Sequence, residues 1–343
     1  MKPLVSILIP AYNAEAWISD SLRCAIAQTW ERKEIIVVDD GSKDGTLSVA
    51  RQFESSQLRV VTQKNQGAAA TRNNAYAMCQ GEYIQFLDAD DLMAPNKIAT
   101  QMNALRDRPD KRTLLSGSWG KFMYRYYRAQ FTPSALWADL TPVEWLIRKM
   151  SLNLYMQTAT WLVSRELAET AGPWDTRLLG DDDGEYFCRV LLASNGVRFV
   201  PEAKVYYRSS GSSSLSYIGA SDRKAAAQWC SMELHVGYIR SLEDSQRVRD
   251  ACVTYLQNWL PFFYPDRPEL VKKIEELAAT LGGRIQPPEF SWKYSWIAAL
   301  GGRQQAKKAQ TVLPRIKWAL IREIDKLLFQ LDGAKFGDPF LKI

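Results

Sequence analysis

The chain has little of what much enzyme chemistry is built on. It carries one histidine, His235, in 343 residues. One imidazole cannot supply a multi-histidine metal site, and if it is structural every histidine-based triad fails as well. Acid–base work then falls to carboxylates. The cysteines at 24, 79, 188, 230 and 252 are odd in number, and no two stand close enough for a metal knuckle. They read as reduced, mostly buried thiols of a cytoplasmic protein. Uninterrupted apolar runs such as Trp296 to Leu300 fall far short of the roughly 18 residues of a membrane span. Met1 to Pro10 lacks a small-residue cleavage site behind a longer apolar core, so no signal peptide is expected. No Gly-x-Gly-x-x-Gly follows the first apolar run and no Gly-x-x-x-x-Gly-Lys-Ser/Thr occurs anywhere, so dinucleotide and P-loop readings lose their fingerprint.

What is present is an ordinary globular balance, 46% apolar and 24% charged, in a length suited to one large domain or a domain with an extension. The net charge of +6 is lopsided. Residues 303–343 hold nine Lys/Arg against four Asp/Glu, so nearly all of the excess lies there. The remainder is close to neutral with acidic clusters, which excludes a nucleic-acid binder with basic charge spread over its surface.

The first hundred residues alternate two periodicities. Short apolar runs at Val5–Ile9, Glu34–Val38, Leu58–Val61 and Tyr83–Leu87 predict buried strands. Between them, Ile18, Leu22, Ala25 and Ile26 recur at helical spacing, Thr46–Phe53 predicts a short helix, and Ala68–Met78 an Ala-rich one with Gly81 as its C-cap glycine. Pro95 opens a further helix. Such alternation implies βαβ units and a mostly parallel α/β sheet, whose ligand crevice lies at the carboxyl ends of the strands. Further helices are expected at Pro142–Met150 and Glu185–Ser194, with helices broken by Pro261, Pro265 and Pro268 beyond about residue 220. Ser209–Ser216 reads as the most mobile loop.

Three strand ends carry polar residues: Pro10-Ala11-Tyr12-Asn13, Asp39-Asp40-Gly41-Ser42 and Asp88-Ala89-Asp90-Asp91. Three carboxylates at the end of a buried strand repel one another unless a cation compensates. Mg²⁺ or Mn²⁺ suits oxygen ligands, and a helix N-cap is the alternative use of such acids. Asp40 suits an Asx turn or a hydrogen bond from a nucleobase or sugar hydroxyl. Arg72, near a helix start at the same edge, suits a solvated face or contact with a base or phosphate. Asp181-Asp182-Asp183-Gly184-Glu185 opens a helix, and four acids in five residues exceed what a cap requires. A carboxylate there can take the proton of an attacking hydroxyl.

Together these residues resemble the family 2 inverting nucleotide-sugar glycosyltransferases, which have a GT-A fold. The matching segments are Val5-Ser-Ile-Leu-Ile-Pro-Ala-Tyr-Asn13, Ala27-Gln-Thr29, Ile35-Ile-Val-Val-Asp-Asp-Gly-Ser42 with Asp44-Gly-Thr46, Asn65-Gln-Gly67, Thr71-Arg-Asn73, Gly81-Glu-Tyr-Ile84 and Leu87-Asp-Ala-Asp-Asp91. In the second half they are Trp161-Leu-Val-Ser-Arg165, Gly172-Pro-Trp-Asp175, and Asp182-Asp183 with Arg189 following. The likeness spans about residues 3 to 215, and the ordered set is far more specific than any one motif.

The resemblance implies a nucleotide-sugar site made by Pro10, Ala11, Tyr12, Asn13, Asp40, Gly67, Arg72, Asp88 and Ala89. Asp40 would accept from the base imide, Arg72 would help hold the base and Asp88 would contact ribose or sugar. Asp90 would hold a divalent metal, Mg²⁺ or Mn²⁺, and Asp183 would be the catalytic base. It implies transfer of a sugar with inversion from a nucleoside-diphosphate donor, UDP-linked for preference, to a glycan or lipid-linked acceptor in bacterial surface polysaccharide or glycolipid assembly. Residues 1–112 would form the nucleotide-sugar-binding half of the domain, 113–218 the half for acceptor and base, and 219–343 a helical extension. Asp182 stands where Glu is common in the family. The histidine that some relatives place after the last strand is missing, leaving Arg208 or the following serines to meet phosphate.

Ile316, Leu320, Ile324, Leu327, Leu328 and Leu331 form an apolar stripe flanked by Arg315, Lys317, Arg322 and Lys326. It suits packing on the core, a homodimer, or peripheral contact with the inner membrane face. The rival functions are a nucleotidyltransferase, which would carry a Gly-rich basic loop after the first strand, and a non-catalytic sugar-nucleotide binder, which would have lost Asp90 or Asp183.

Overall fold

The computed structural model describes residues 2–106, 110–209, 221–288, 300 and 317–332. In chain order its first half runs β1 (Val5–Ala11), α1 (Ile18–Ile26), β2 (Lys33–Asp39), α2 (Thr46–Arg51), β3 (Leu58–Thr62), α3 (Ala68–Met78), β4 (Tyr83–Phe86), β5 (Leu92–Met93) and α4 (Lys97–Ala104). There follow β6 (Thr113–Phe122), α5 (Pro142–Ser151), β7 (Val163–Ser164), α6 (Arg165–Ala171), α7 (Asp182–Ala193) and β8 (Gly196–Arg208). Helices α8 (Asp222–Leu242), α9 (Gln246–Phe263) and α10 (Pro268–Thr280) come next, and residues 317–332 are helical.

The main sheet has the order β3-β2-β1-β4-β7. The first four strands are parallel and β7 is antiparallel to β4. From β1 the chain winds outward to β2 and β3, then returns to place β4 on the other side of β1. The winding therefore reverses between β1 and β4, and a ligand crevice opens beyond the carboxyl ends at such a reversal. Pro10–Asn13 and Asp88–Asp91 leave the sheet there. A second sheet, β5-β8-β6, lies beside the first, with β6 and β8 parallel.

The strands are continuous apolar runs because both faces of the sheet are covered. Leu8, Ile36, Val38, Ile84 and Phe86 face one core. Ile7, Ile9, Ile35 and Val37 face another, with α1, α4 and β8. Helices α8, α9 and α10 bury Met232, Leu256 and Ile274 in the first of these cores. The helical extension expected from residue 219 is thus continuous with the interior of the α/β domain.

Three local expectations change. Gly81 does not cap α3, which ends through an extended Cys79. Gly81 instead lies against β1, where its N–H donates to Ser6 Oγ at 2.8 Å and a Cβ would come within 2.6 Å of the Ser6 nitrogen. Helix α7 begins at Asp182 rather than Glu185, because Asp181 adopts a left-handed conformation (φ 56°) and its carbonyl accepts from Glu185 N. Pro261 does not break α9, which runs on to Phe263 with Leu256, Leu260 and Phe263 held in the core. Ser210–Ser216, in the loop read as mobile, lies outside the described residues, as do Arg315 and Ile316 of the C-terminal stripe.

The described part of the stripe does not pack on the core. In the helix at 317–332 Asp325 pairs with Arg125 at 2.7 Å and Phe329 meets the Tyr124 ring. Leu320, Ile324, Leu327 and Leu331 remain more than half exposed.

Gly81→Ala should lower stability by about 1–3 kcal/mol, since the added methyl meets backbone that cannot step aside. Urea unfolding of the variant checks this; an unchanged midpoint and slope would rule out the close approach.

Candidate active site

The site is assembled around Arg72. Helix α3 starts at the crevice and buries this side chain, leaving it 6% exposed. Its guanidinium donates to Asp88 Oδ1 at 2.7 Å, from the end of β4, and to Asp182 Oδ2 at 2.7 Å, from the start of α7. Its face lies 4.5 Å from the Trp174 ring centroid. Residues 110 positions apart in sequence, Arg72 and Asp182, are thereby brought together. Burial alone would lower the pKa of this guanidinium; Asp88 and then Asp182 outweigh it and raise it, so the cation is secure.

Asp183 stands beside this bridge. It accepts from Thr158 Oγ1 at 3.1 Å and Gly184 N at 2.9 Å. Burial first, then the like charges of Asp182 and Asp181, push its pKa up to about 7, with Arg72 opposing them. A carboxyl group poised there can exchange protons near neutral pH. Asp182 is also raised, by burial first, with Arg72 acting against it.

A cavity of about 520 Å³ opens here. Its lining includes Arg72, Asp88 and Asp181–Asp183, the aromatic residues Trp145, Tyr155 and Trp161, and Tyr255, Trp259 and Phe262 of α9. The size and the mixture of aromatic surface with a few charged groups suit a hydroxylated small molecule.

The other predicted residues lie along the same sheet edge but outside this cavity's lining. Asp40 is 3% exposed and accepts from Gln66 N, Gly67 N and Gln63 Nε2, each at 2.8 Å. These bonds fold the 63–67 loop back over β2 and leave about one acceptor site on the carboxylate. Gly67 holds φ at 91°, which a side chain would resist, and so delivers its N–H to Asp40. Gln63 also donates to Thr71 Oγ1 at 3.2 Å, so a hydrogen-bond chain runs from Asp40 to the residue before Arg72. Tyr12 is 47% exposed, Asn13 takes a positive φ with Ser42 Oγ bonded to its N–H, and Pro10 and Ala11 end β1. Ala89 is buried, its carbonyl accepting from Ser21 Oγ.

The acids at 88–91 divide. Asp91 is wholly buried, bonded by Gln157 and by Arg208 N, and burial followed by its neighbours Asp90 and Asp88 raises its pKa well above the usual range. It is a structural group. Asp88 is committed to Arg72. Asp90 is partly exposed. Among the described residues no group of three or more acids, histidines or cysteines is spaced to cage a metal. Mg²⁺ and Mn²⁺ do not require such a cage, since one or two carboxylates plus substrate phosphates usually hold Mg²⁺.

Arg208 is not a free phosphate ligand. It lies between the Trp17 and Phe122 rings, at 4.3 and 4.6 Å, and donates to the Asp90 carbonyl and to Asp20. It secures the 88–91 turn instead. Sequence reasoning passed over Gln63, the Trp174 face under Arg72 and the α9 wall. Only the Gly-Pro-Trp-Asp segment offered a signal for Trp174, and nothing local marked the others.

Known proteins share parts of this pattern. Residues 6–153 match the model for Glycosyl transferase family 2. Over that segment the chain is similar to glycosyl transferase family 2. The chain is 39% identical over 110 residues to the putative teichuronic acid biosynthesis glycosyltransferase TuaG of Bacillus subtilis, covering 31% of this chain and 44% of that one. It is also 39% identical over 103 residues to the UDP-Glc:alpha-D-GlcNAc-diphosphoundecaprenol beta-1,3-glucosyltransferase WfgD of Escherichia coli, covering 30% and 41%. The chain thus spans less than half the length of either relative. The structure of S. aureus TarS 1–349 in complex with UDP-GlcNAc superposes with a TM-score of 0.66 over 81% of each chain at 17% identity. At that identity the likeness concerns the fold, which is GT-A. The family 2 segment ends at 153, so Asp182, Asp183 and the α9 wall lie beyond it.

Arg72→Met should lower stability by about 3–5 kcal/mol, because it strands two carboxylates beside each other in a poorly solvated site. Chemical unfolding at pH 7.5 checks the figure; a loss under 1 kcal/mol would show that the bridge is dispensable.

Proposed function

We propose that the protein transfers a sugar from a nucleoside-diphosphate donor to an acceptor hydroxyl, with inversion, and that Asp183 is the general base. The observation that carries this reading is the convergence of Asp88, Arg72, Asp182 and a near-neutral Asp183 on one cavity at the switch point of a family 2 fold. Pro10, Ala11, Tyr12, Asn13, Asp40, Gly67 and Ala89 form the donor side, with Arg72 and Asp88 where donor and acceptor meet. A hydroxyl entering from the aromatic side loses its proton to Asp183 as the new bond forms, and the nucleoside diphosphate leaves from the opposite face of the anomeric carbon. Single displacement of this kind inverts that carbon. Asp90 would hold Mg²⁺ or Mn²⁺, which offsets the charge of the leaving diphosphate.

Uracil is the base favoured by the kinship in fold with a UDP-GlcNAc complex, and the names of the relatives favour a bacterial surface glycan with a lipid-linked acceptor. For such an acceptor the exposed arc Leu320, Ile324, Leu327 and Leu331, flanked by Lys317, Arg322 and Lys326, would rest on an anionic lipid surface. No described helix is long and apolar enough to cross a membrane.

A thermal-shift panel of UDP, GDP, dTDP and their sugars with and without Mn²⁺ tests the donor assignment, since a bound ligand raises the melting temperature by mass action. One nucleoside diphosphate should stabilise the protein, with Mn²⁺ strengthening the effect and Asp90→Ala cancelling that gain. No shift with any of them would refute the assignment. Turnover should fall about tenfold per unit as pH drops below about 7, because protonation disables the base. Asp183→Asn should lose at least about 10²-fold in turnover while keeping nucleotide binding; undiminished turnover would remove Asp183 from its role. Vesicles containing phosphatidylglycerol should sediment the protein, and the double substitution Ile324→Asp with Leu327→Asp should release it; equal sedimentation of both forms would remove the lipid contact.

A further inference from the structure

The turn that carries Asp182 and Asp183 is held by α8. Asp181 sits in a left-handed conformation uncommon for a residue with a side chain. Its Oδ2 accepts from Ser231 Oγ at 2.6 Å and from Gln228 Nε2 at 3.2 Å, both on α8. His235, one turn further along α8, places Nδ1 3.9 Å from the same oxygen and 2.9 Å from the Tyr255 hydroxyl of α9. Burial pushes this imidazole down to about 4, so it is neutral at pH 7 and acts as a hydrogen-bonding group. A Cβ on Gly184 would collide with the Asp181 carboxylate, so glycine is needed for the turn to close.

A strained conformation persists only where its surroundings over-determine it, and such strain gathers at functional sites. Here the surroundings are Ser231, Gln228 and, through His235, Tyr255. What the turn presents is Asp182 to Arg72 and Asp183 to the cavity. All of the clamp residues lie beyond residue 153, where the family segment ends.

Resting on the reading of Asp183 as base, we propose that Asp181, Ser231 and Gln228 are positioning residues: α8 pins the 180–184 turn and thereby sets the base against the acceptor hydroxyl. Helix α8, late in the chain, is then part of the active site. A base displaced by about 1 Å costs on the order of 10²-fold in rate, and a looser turn costs less.

Asp181 also acts on Asp183 through its charge. Around Asp183 stand Asp181 and Asp182 from its own turn, Arg72 from α3 and Asp88 from β4. Thr158 reaches it from the short 3-10 turn between α5 and β7, Lys149 of α5 shares its cavity, and the neutral His235 of α8 lies behind Asp181. Removing the Asp181 charge takes away one like neighbour and lowers the pKa of Asp183.

The test compares the parent with Ser231→Ala, Gln228→Ala and Asp181→Asn. It uses the sugar nucleotide that most stabilises the parent in the thermal-shift panel and follows nucleoside diphosphate release with Mn²⁺ across pH 5.5–9, a range of about 3.5 units around the base's pKa. Each variant should bind the nucleoside diphosphate as the parent does, which shows that it is folded. Ser231→Ala should lose about tenfold or more in kcat with donor KM within about twofold, its acid limb staying at the parental pH. Asp181→Asn should lose turnover and also move its acid limb to lower pH. Gln228→Ala should show a smaller loss than Ser231→Ala, following the longer hydrogen bond. Parental kcat in both Ser231→Ala and Asp181→Asn, or an unmoved acid limb in Asp181→Asn, overturns the proposal while the base assignment stands. A parent that binds nucleotide but turns over no donor removes the base assignment and this inference with it.

Discussion

The molecule depends on keeping several carboxylates close together in a site with little water. Asp88 follows β4 while Asp182 and Asp183 open α7, and each would repel the others without compensation. A single buried guanidinium resolves this by pairing with Asp88 and Asp182, and among the described residues Asp183 has no ion pair of its own. The division decides the chemistry available. Burial and like charges raise Asp183 to about 7, while burial also raises Asp182 against the opposing charge of Arg72.

The fold supplies the reason these groups meet. Parallel strands emerge at one edge, and the reversal of winding between β1 and β4 leaves a crevice at their carboxyl ends. The first half of the chain provides Arg72 and Asp88, the middle provides Asp182 and Asp183, and the helices after residue 221 provide a wall of the cavity and the clamp on Asp181. A site distributed in this way is sensitive to packing at a distance, because a small shift of α8 or α7 changes where Asp183 points.

The region around Arg208 shows the same economy on the other side of the crevice. A residue that could have met a ligand is instead enclosed by Trp17 and Phe122 and bonded to the Asp90 carbonyl. Asp91 is buried beneath the turn at 88–91, Asp88 is paired with Arg72, and Asp90 is partly exposed. A motif of clustered acids thus separates into groups with distinct work once burial is known.

Sequence alone determined the strands, the helices between them and the edge at which their polar ends gather, because apolar runs and helical spacing are local signals of burial. It also carried the ordered motifs by which Asp40, Arg72, Asp88 and Asp183 resemble one family's pattern. Tertiary structure alone decided that Arg72 joins Asp88 to Asp182, that Asp40 is occupied by the 63–67 loop, that Gly81 serves β1 rather than a helix end, and that α8 and α9 complete the site. The physical reason is that pairing, burial and pKa depend on neighbours in space. A guanidinium and a carboxylate separated by 110 positions carry no local mark of the bond between them.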